Sequence, residues 1–135
     1  MLTANDLMTV DPMSVRLDTP LDWVISTMNR EGIRQLPVLH KGKLVGIISN
    51  RDVRLAVNSP LVSNISERAE LLSSFTAESC MTADLITVTP DTPAAKVAEM
   101  LALYKYGAFP VVENDTLMGI ITVTDMLNYM AHDMM

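Results

Sequence analysis

The chain has 135 residues, of which 49% are apolar and 19% charged, with a net charge of −6. That balance can bury a core and excludes a disordered chain. No apolar run approaches the ~18 residues of a membrane span, and the acidic excess argues against an electrostatic nucleic-acid binder.

The first β-prone run is Ser14-Val15-Arg16. Thr19 then offers an N-cap hydroxyl and Pro20 suits the first helical position. Leu21, Val24, Ile25 and Met28 follow at helical spacing, and Gly32 lies where a left-handed residue would end the helix. Leu36-Pro37-Val38-Leu39 reads as an apolar strand, His40-Lys41-Gly42-Lys43 as a hairpin turn, and residues 44–48 as the returning strand. A second helix is expected to start near Asp52. Residues 59–78 read as a linker, with a short helix over 66–75 in which Leu71 and Leu72 are apolar.

The same order then recurs. A shift of 73 aligns residues 6–58 with 79–131 without a gap, and 15 of the 53 pairs are identical, where unrelated sequences would give roughly 3–4. In the second copy Ile86-Thr87-Val88-Thr89 is the first strand. Ala94, Val97, Ala98 and Leu101 form the helical stripe, and Gly107 its terminator. Phe109-Pro110-Val111-Val112 and residues 117–121 form the hairpin, and a helix starts near Asp125. Residues 132–135 read as a frayed tail. Each copy is β-α-β-β-α, with one sheet face to hide and a size that is marginal alone. The expectation is therefore an α+β (α/β sandwich) fold with copies at residues 1–58 and 79–131, packed through their sheets with pseudo-two-fold symmetry.

Charge is uneven along the chain. Residues 1–67 carry seven basic and seven acidic side chains, whereas residues 68–135 carry three and nine. An anion should prefer the first half. Cys80 is the single cysteine and fits a reducing cytoplasm. The N-terminal MLTANDLMTVD lacks the basic and apolar regions of a signal peptide.

The phrase GIISNRDVR, from Gly46 to Arg54, returns as GIITVTDML from Gly119 to Leu127. One reading is helix punctuation. Ser49 and Thr122 cap, and Asp52 and Asp125 complete a capping box, although aspartate is shorter than the preferred Glu or Gln. The other reading is a site. A strand-to-helix turn offers amides and partial positive charge to a phosphate, a hydroxyl can donate to it, and an aspartate can hold a ribose diol. Gly46 and Gly119 would admit a ligand or a neighbouring strand close to the backbone.

These residues resemble a tandem pair of CBS motifs, the Bateman module. The markers are Met8-Thr9 and Met81-Thr82, Leu36-Pro37-Val38 and Phe109-Pro110-Val111, and the two phrases with Asp52 and Asp125. Glu70-Leu71-Leu72, running into Cys80-Met81-Thr82, is similar to stand-alone bacterial CBS proteins of the acetoin-utilisation type. The resemblance implies two clefts that take adenosine compounds such as AMP, ADP, ATP or S-adenosylmethionine. It implies that Ser49 and Asp52, and Thr122 and Asp125, contact ribose and phosphate. It also implies that Ser14-Val15 with Leu36-Pro37, and Ile86-Thr87 with Phe109-Pro110, hold the base. Members dimerise and regulate a partner protein, and with no output domain attached such regulation would act in trans.

The two phrases differ in cations. Arg51 and Arg34 belong to the first copy; the aligned residues are Thr124 and Gly107. The first site is expected to take the more anionic nucleotide, unless both arginines only form a solvated face. Trp23 and Tyr104 suit helix packing or a dimer contact rather than base stacking, and the eleven methionines suit core filling. His40 and His132 are isolated, so no metal is expected, and Cys80 is expected to pack rather than react. No paired base and nucleophile and no Walker lysine points to an enzyme. The leading expectation is a cytoplasmic, non-enzymatic adenine-nucleotide sensor that binds neither nucleic acid nor membrane. The alternatives are a structural or dimerisation pair with vestigial clefts, or a sensor of S-adenosylmethionine-type ligands.

Overall fold

The computed structural model describes residues 1–58 and 65–133. The beginning of the expected linker, residues 59–64, and Met134 and Met135 of the expected tail lie outside the described residues. The elements in order are α1 (Ala4–Leu7), β1 (Thr9–Val10), β2 (Val15–Arg16), α2 (Leu21–Glu31), β3 (Gln35–His40), β4 (Lys43–Ser49), α3 (Asn50–Val57), α4 (Ile65–Ser74), α5 (Ala77–Cys80), α6 (Ala94–Tyr104), β5 (Ala108–Glu113), β6 (Thr116–Thr122) and α7 (Val123–His132). They form two compact units, a continuous one of Met13–Leu85 and a split one of Met1–Pro12 with Ile86–Met135.

In the continuous unit the strands run β2-β3-β4. β2 is parallel to β3 and β3 antiparallel to β4. The β3–β4 turn is Lys41-Gly42, with φ of 52° and 79°. Positive φ at both central residues is the two-residue turn whose twist matches that of the strands. Leu21, Val24 and Met28 of α2 pack on Leu36, Val38 and Ile48, joined by Val53 and Val57 of α3 and by Ala77. Leu71 and Leu72 of α4 pack against this core. Fully burying an aliphatic side chain such as Leu36 is worth about 1.5–3 kcal/mol, so this one sheet face accounts for the sequence stripe.

The split unit has the same antiparallel hairpin, but its third strand joins the other side: the order is β1-β6-β5, with β1 antiparallel to β6. Its turn, Asn114-Asp115, has φ of 52° and 64°. Val97, Leu101, Phe109, Val111 and Ile121 form its core with Ala4 and Val88. The tyrosines Tyr104 and Tyr106 stack with centroids 5.9 Å apart.

The opening segment of each copy, which carries no apolar periodicity, docks by one shared set of bonds. Ala4 N–H donates to Thr92 O at 2.8 Å and Asn5 N–H to Pro90 O at 2.9 Å. Seventy-three residues on, Ala77 N–H donates to Thr19 O at 2.8 Å and Glu78 N–H to Leu17 O at 3.0 Å. Reciprocally, Ala94 N–H reaches Leu2 O at 2.9 Å and Leu21 N–H reaches Phe75 O at 3.0 Å. The segment then runs beside the glycine strand. Thr9 pairs with Ile120 and Val10 with Gly119, while Thr82 pairs with Ile47.

Four local expectations are corrected. Thr19 does not cap α2: Pro20 is the N-cap residue, and the Thr19 hydroxyl accepts from Arg16 N–H at 2.9 Å, closing the turn out of β2. Residues 86–89 do not form a strand but a single parallel bridge, Val88 to Val111. The left-handed residue after α6 is Lys105, at φ 58°, not Gly107. A strict shift of 73 from Gly32 points to it. Ala98 is exposed, while Ala94, Val97 and Leu101 are buried.

Candidate functional site

The turn from β4 into α3 is built by its own side chains. Asp52 N–H donates to Ser49 Oγ at 3.1 Å, and Ser49 N–H donates to Asp52 Oδ2 at 2.8 Å. From β6 into α7, Asp125 N–H donates to Thr122 Oγ1 at 3.0 Å, and Thr122 N–H to Asp125 Oδ2 at 2.9 Å. Both capping boxes are therefore complete. Aspartate is not too short for the reciprocal bond. The extended backbone at Ser49 and Thr122, with φ of −110° and −121°, brings the N-cap amide within its reach.

The first amide inside each helix is taken by the strand before the hairpin. Asn50 N–H donates to Arg34 O at 2.8 Å, and Val123 N–H to Gly107 O at 3.1 Å. Among the described residues, three of the four amides that open each helix thus have acceptors, leaving those of Arg51 and Thr124 as the donors a ligand could still take. The Arg34 carbonyl bond also fixes Arg34 beside the turn that holds Arg51, and both side chains are exposed. Neither takes part in the ion pairs of the described residues, which are Arg16–Asp18, Arg30–Glu31 and Lys96–Glu99.

Each set of expected ligand residues falls within one unit. Ser14 and Val15 enter β2, and Val15 pairs with Val38 on β3. Leu36 and Pro37 lie opposite Ile48 and Ile47, next to Ser49, Arg51 and Asp52. In the split unit Ile86 and Thr87 lead into the Val88 bridge, while Phe109 and Pro110 lie opposite Ile121 and Ile120, next to Thr122, Thr124 and Asp125. Ser14 and Thr87 are exposed; Val15, Leu36, Pro37, Phe109 and Pro110 are buried. The buried five can present backbone but little side chain.

Gly46 and Gly119 make room for the chain itself. A Cβ on Gly119 would stand 2.6 Å from Thr9 O and 2.8 Å from Met8 Sδ. One on Gly46 would meet Met81 Sδ and lie 3.1 Å from Thr82 O. The paired Met-Thr markers of the sequence are thus the residues that lie over the glycines.

One contact has no counterpart. The Thr9 hydroxyl donates to Asp125 Oδ1 across 3.4 Å, whereas Thr82, its aligned residue, makes no bond to Asp52 among the described residues. Beside Asp52 stands Cys80, whose thiol pKa is raised above its ordinary 9.0 by burial and secondarily by the Asp52 charge. Among the described residues no group of His, Cys, Asp and Glu could hold a metal, and no helix is long and apolar enough to cross a membrane.

Comparison with known proteins matches the CBS domain family at residues 4–59 and 77–132. A CBS domain-containing protein of Dictyostelium discoideum is 33% identical over 127 residues, covering 92% of this chain and 88% of that protein. Against several other curated relatives the chain spans less than half of their length. A Vibrio cholerae structure assigned to acetoin utilization (AcuB) superposes with a TM-score of 0.83 at 28% identity, covering 97% of this chain and 91% of that one. The CBS domain pair of protein MJ0100, solved with 5′-methylthioadenosine and S-adenosyl-L-methionine, gives a TM-score of 0.79 at 25% identity over 96% of this chain and 99% of that one.

Proposed function

The chain belongs to the CBS domain family as a tandem pair, and on that premise we propose that it is a non-catalytic regulatory module that binds adenosine compounds and acts in trans on a partner protein. The carrying observation is the paired turn. Ser49 with Asp52 and Thr122 with Asp125 present the same hydroxyl, carboxylate and helix start twice. A carboxylate has about four acceptor positions, so one bond to the N-cap amide leaves capacity for a ribose diol. The Arg51 and Thr124 amides remain for an anion or a polar substituent. Ser14, Val15, Leu36 and Pro37, and Ile86, Thr87, Phe109 and Pro110, line the adenine side, the buried ones through their backbone. The ligands in the MJ0100 domain pair, both adenosine compounds, support this class over other small molecules. The protein works as a cytoplasmic homodimer in this reading.

A thermal-shift panel of AMP, ATP, S-adenosylmethionine and 5′-methylthioadenosine tests it. A rise of several degrees with at least one is expected, because a ligand that binds only the folded state stabilises it by mass action. A flat response to all four would favour the second reading, a structural pair. One observation supports that alternative: each capping box already gives Ser49, Asp52, Thr122 and Asp125 a complete role in starting a helix.

A further inference from the structure

We infer that the two turns select different ligand classes: the Ser49–Asp52 turn takes a phosphate-bearing adenosine compound, and the Thr122–Asp125 turn takes one without phosphate. This rests on the proposed adenosine-binding function and adds a charge rule to it.

The first observation is how charge divides between the compact units. Met13–Leu85 holds eight basic and eight acidic residues, including all six arginines. Met1–Pro12 with Ile86–Met135 holds two basic and eight acidic residues and no arginine. The entire net charge of −6 therefore belongs to the split unit. The docked N-terminal segment contributes to it through Asp6 and Asp11. Of its two cations, Lys96 pairs with Glu99 at 3.6 Å and Lys105 occupies the left-handed end of α6. A polyphosphate approaching Thr122 meets a repulsive field. At the Ser49 turn, by contrast, Arg51 lies in the turn itself and the Asn50–Arg34 backbone bond brings the Arg34 main chain beside it, with both residues exposed. Guanidinium groups suit phosphate because they can donate two parallel, charge-assisted bonds.

The second observation is independent of net charge. Asp125 Oδ1 already accepts from Thr9 at 3.4 Å, and Oδ2 from Thr122 N–H. Asp52 Oδ1 has no such internal donor among the described residues. A ligand hydroxyl at Asp125 must displace or share the Thr9 bond, and one at Asp52 need not. Among the described residues, the continuous unit thus combines an uncommitted carboxylate oxygen with two arginines, whereas the split unit has neither.

Calorimetric titration of the full chain with ATP and with 5′-methylthioadenosine tests the rule. Each probe is expected to bind one site per chain, without competition, with affinity for ATP alone falling steeply as salt rises. The double substitution Arg34→Ala/Arg51→Ala should weaken ATP at least tenfold and change methylthioadenosine by less than threefold. Arg34→Gln/Arg51→Gln serves as a second variant with longer side chains, and a circular-dichroism melt checks that both fold. Thr9→Val should tighten methylthioadenosine and not ATP. Unchanged ATP affinity in both double variants, or competition of the two probes for one site, would overturn the rule while leaving adenosine binding intact. No binding of either probe to the unmodified chain would remove the proposed function itself, and this inference with it.

Discussion

Thr27 is only 2% exposed on α2, and its hydroxyl has no hydrogen-bond partner among the described residues. A buried hydroxyl without a partner carries its desolvation cost uncompensated. Thr27→Val is therefore expected to stabilise the protein by about 1 kcal/mol, read as a higher urea midpoint at unchanged m. A lower midpoint would mean that the hydroxyl is in use. Cys80 makes a different prediction. Burial, and then the neighbouring Asp52 charge, raise its thiol pKa above 9.0, so the folded state holds its proton more tightly than the unfolded state does. Stability from this group is complete below the unfolded pKa and is lost as pH climbs through the folded one. Melting temperature should fall as pH rises above 9.0, the direction set by the upward shift of this thiol, and Cys80→Ala should flatten the slope there. The same shift predicts slow labelling by thiol reagents at neutral pH, since the thiolate is the nucleophile.

At the scale of elements, the two glycine strands allow a paired experiment. In Gly119→Ala the new Cβ meets a backbone oxygen, Thr9 O at 2.6 Å, so β1 must move. In Gly46→Ala the nearest atom belongs to the flexible Met81 side chain, with Thr82 O at 3.1 Å. Gly119→Ala should cost about 1–3 kcal/mol and Gly46→Ala less, and Met81→Ala should partly restore only the latter. Equal losses in chemical denaturation would contradict this account. The hairpins and the long helices were legible in the sequence because each is local. Leu36–Leu39 and residues 44–48 are apolar runs on either side of the polar turn His40–Lys43, and Leu21, Val24 and Met28 mark one helical face. Ser49 and Asp52 were legible as a turn for the same reason. The docked segments were not. Residues 2–10 and 75–82 are short and without periodicity, and their bonds, such as Ala4 to Thr92, join distant positions. The repeated Met-Thr pairs were the available signal, but a repeat reports likeness and not destination. The Thr9–Asp125 contact was hidden in the same way. Gly107 misled because residue type outweighed register, and Lys105 shows that a non-glycine residue can take the left-handed position at a helix end.

For the whole molecule, the sequence repeat and the compact units divide the chain differently. The family match begins its first domain at residue 4, yet Met1–Pro12 is built into the unit that contains the second domain's hairpin. Completion of the split unit therefore depends on the chain's first dozen residues, which supply β1, the buried Ala4, two amide donors (Ala4 and Asn5) and one carbonyl acceptor (Leu2) to the 90–94 turn. Deleting residues 1–10 removes the outer strand of that sheet and exposes Gly119 and Ile120, otherwise buried. Native-state hydrogen exchange should then show the largest loss of protection in β6 and at Ala94, whose amide loses its Leu2 acceptor. Loss at Ile47 and Thr82, whose mutual bonds of 2.8 and 3.0 Å lie wholly within the continuous unit, should be smaller. A synthetic peptide of residues 1–12 added in excess should restore β6 protection, since the segment docks by its own backbone bonds and by Met8 and Ala4. Uniform loss of protection across both units would show that stability is shared, rather than held locally by each docked segment.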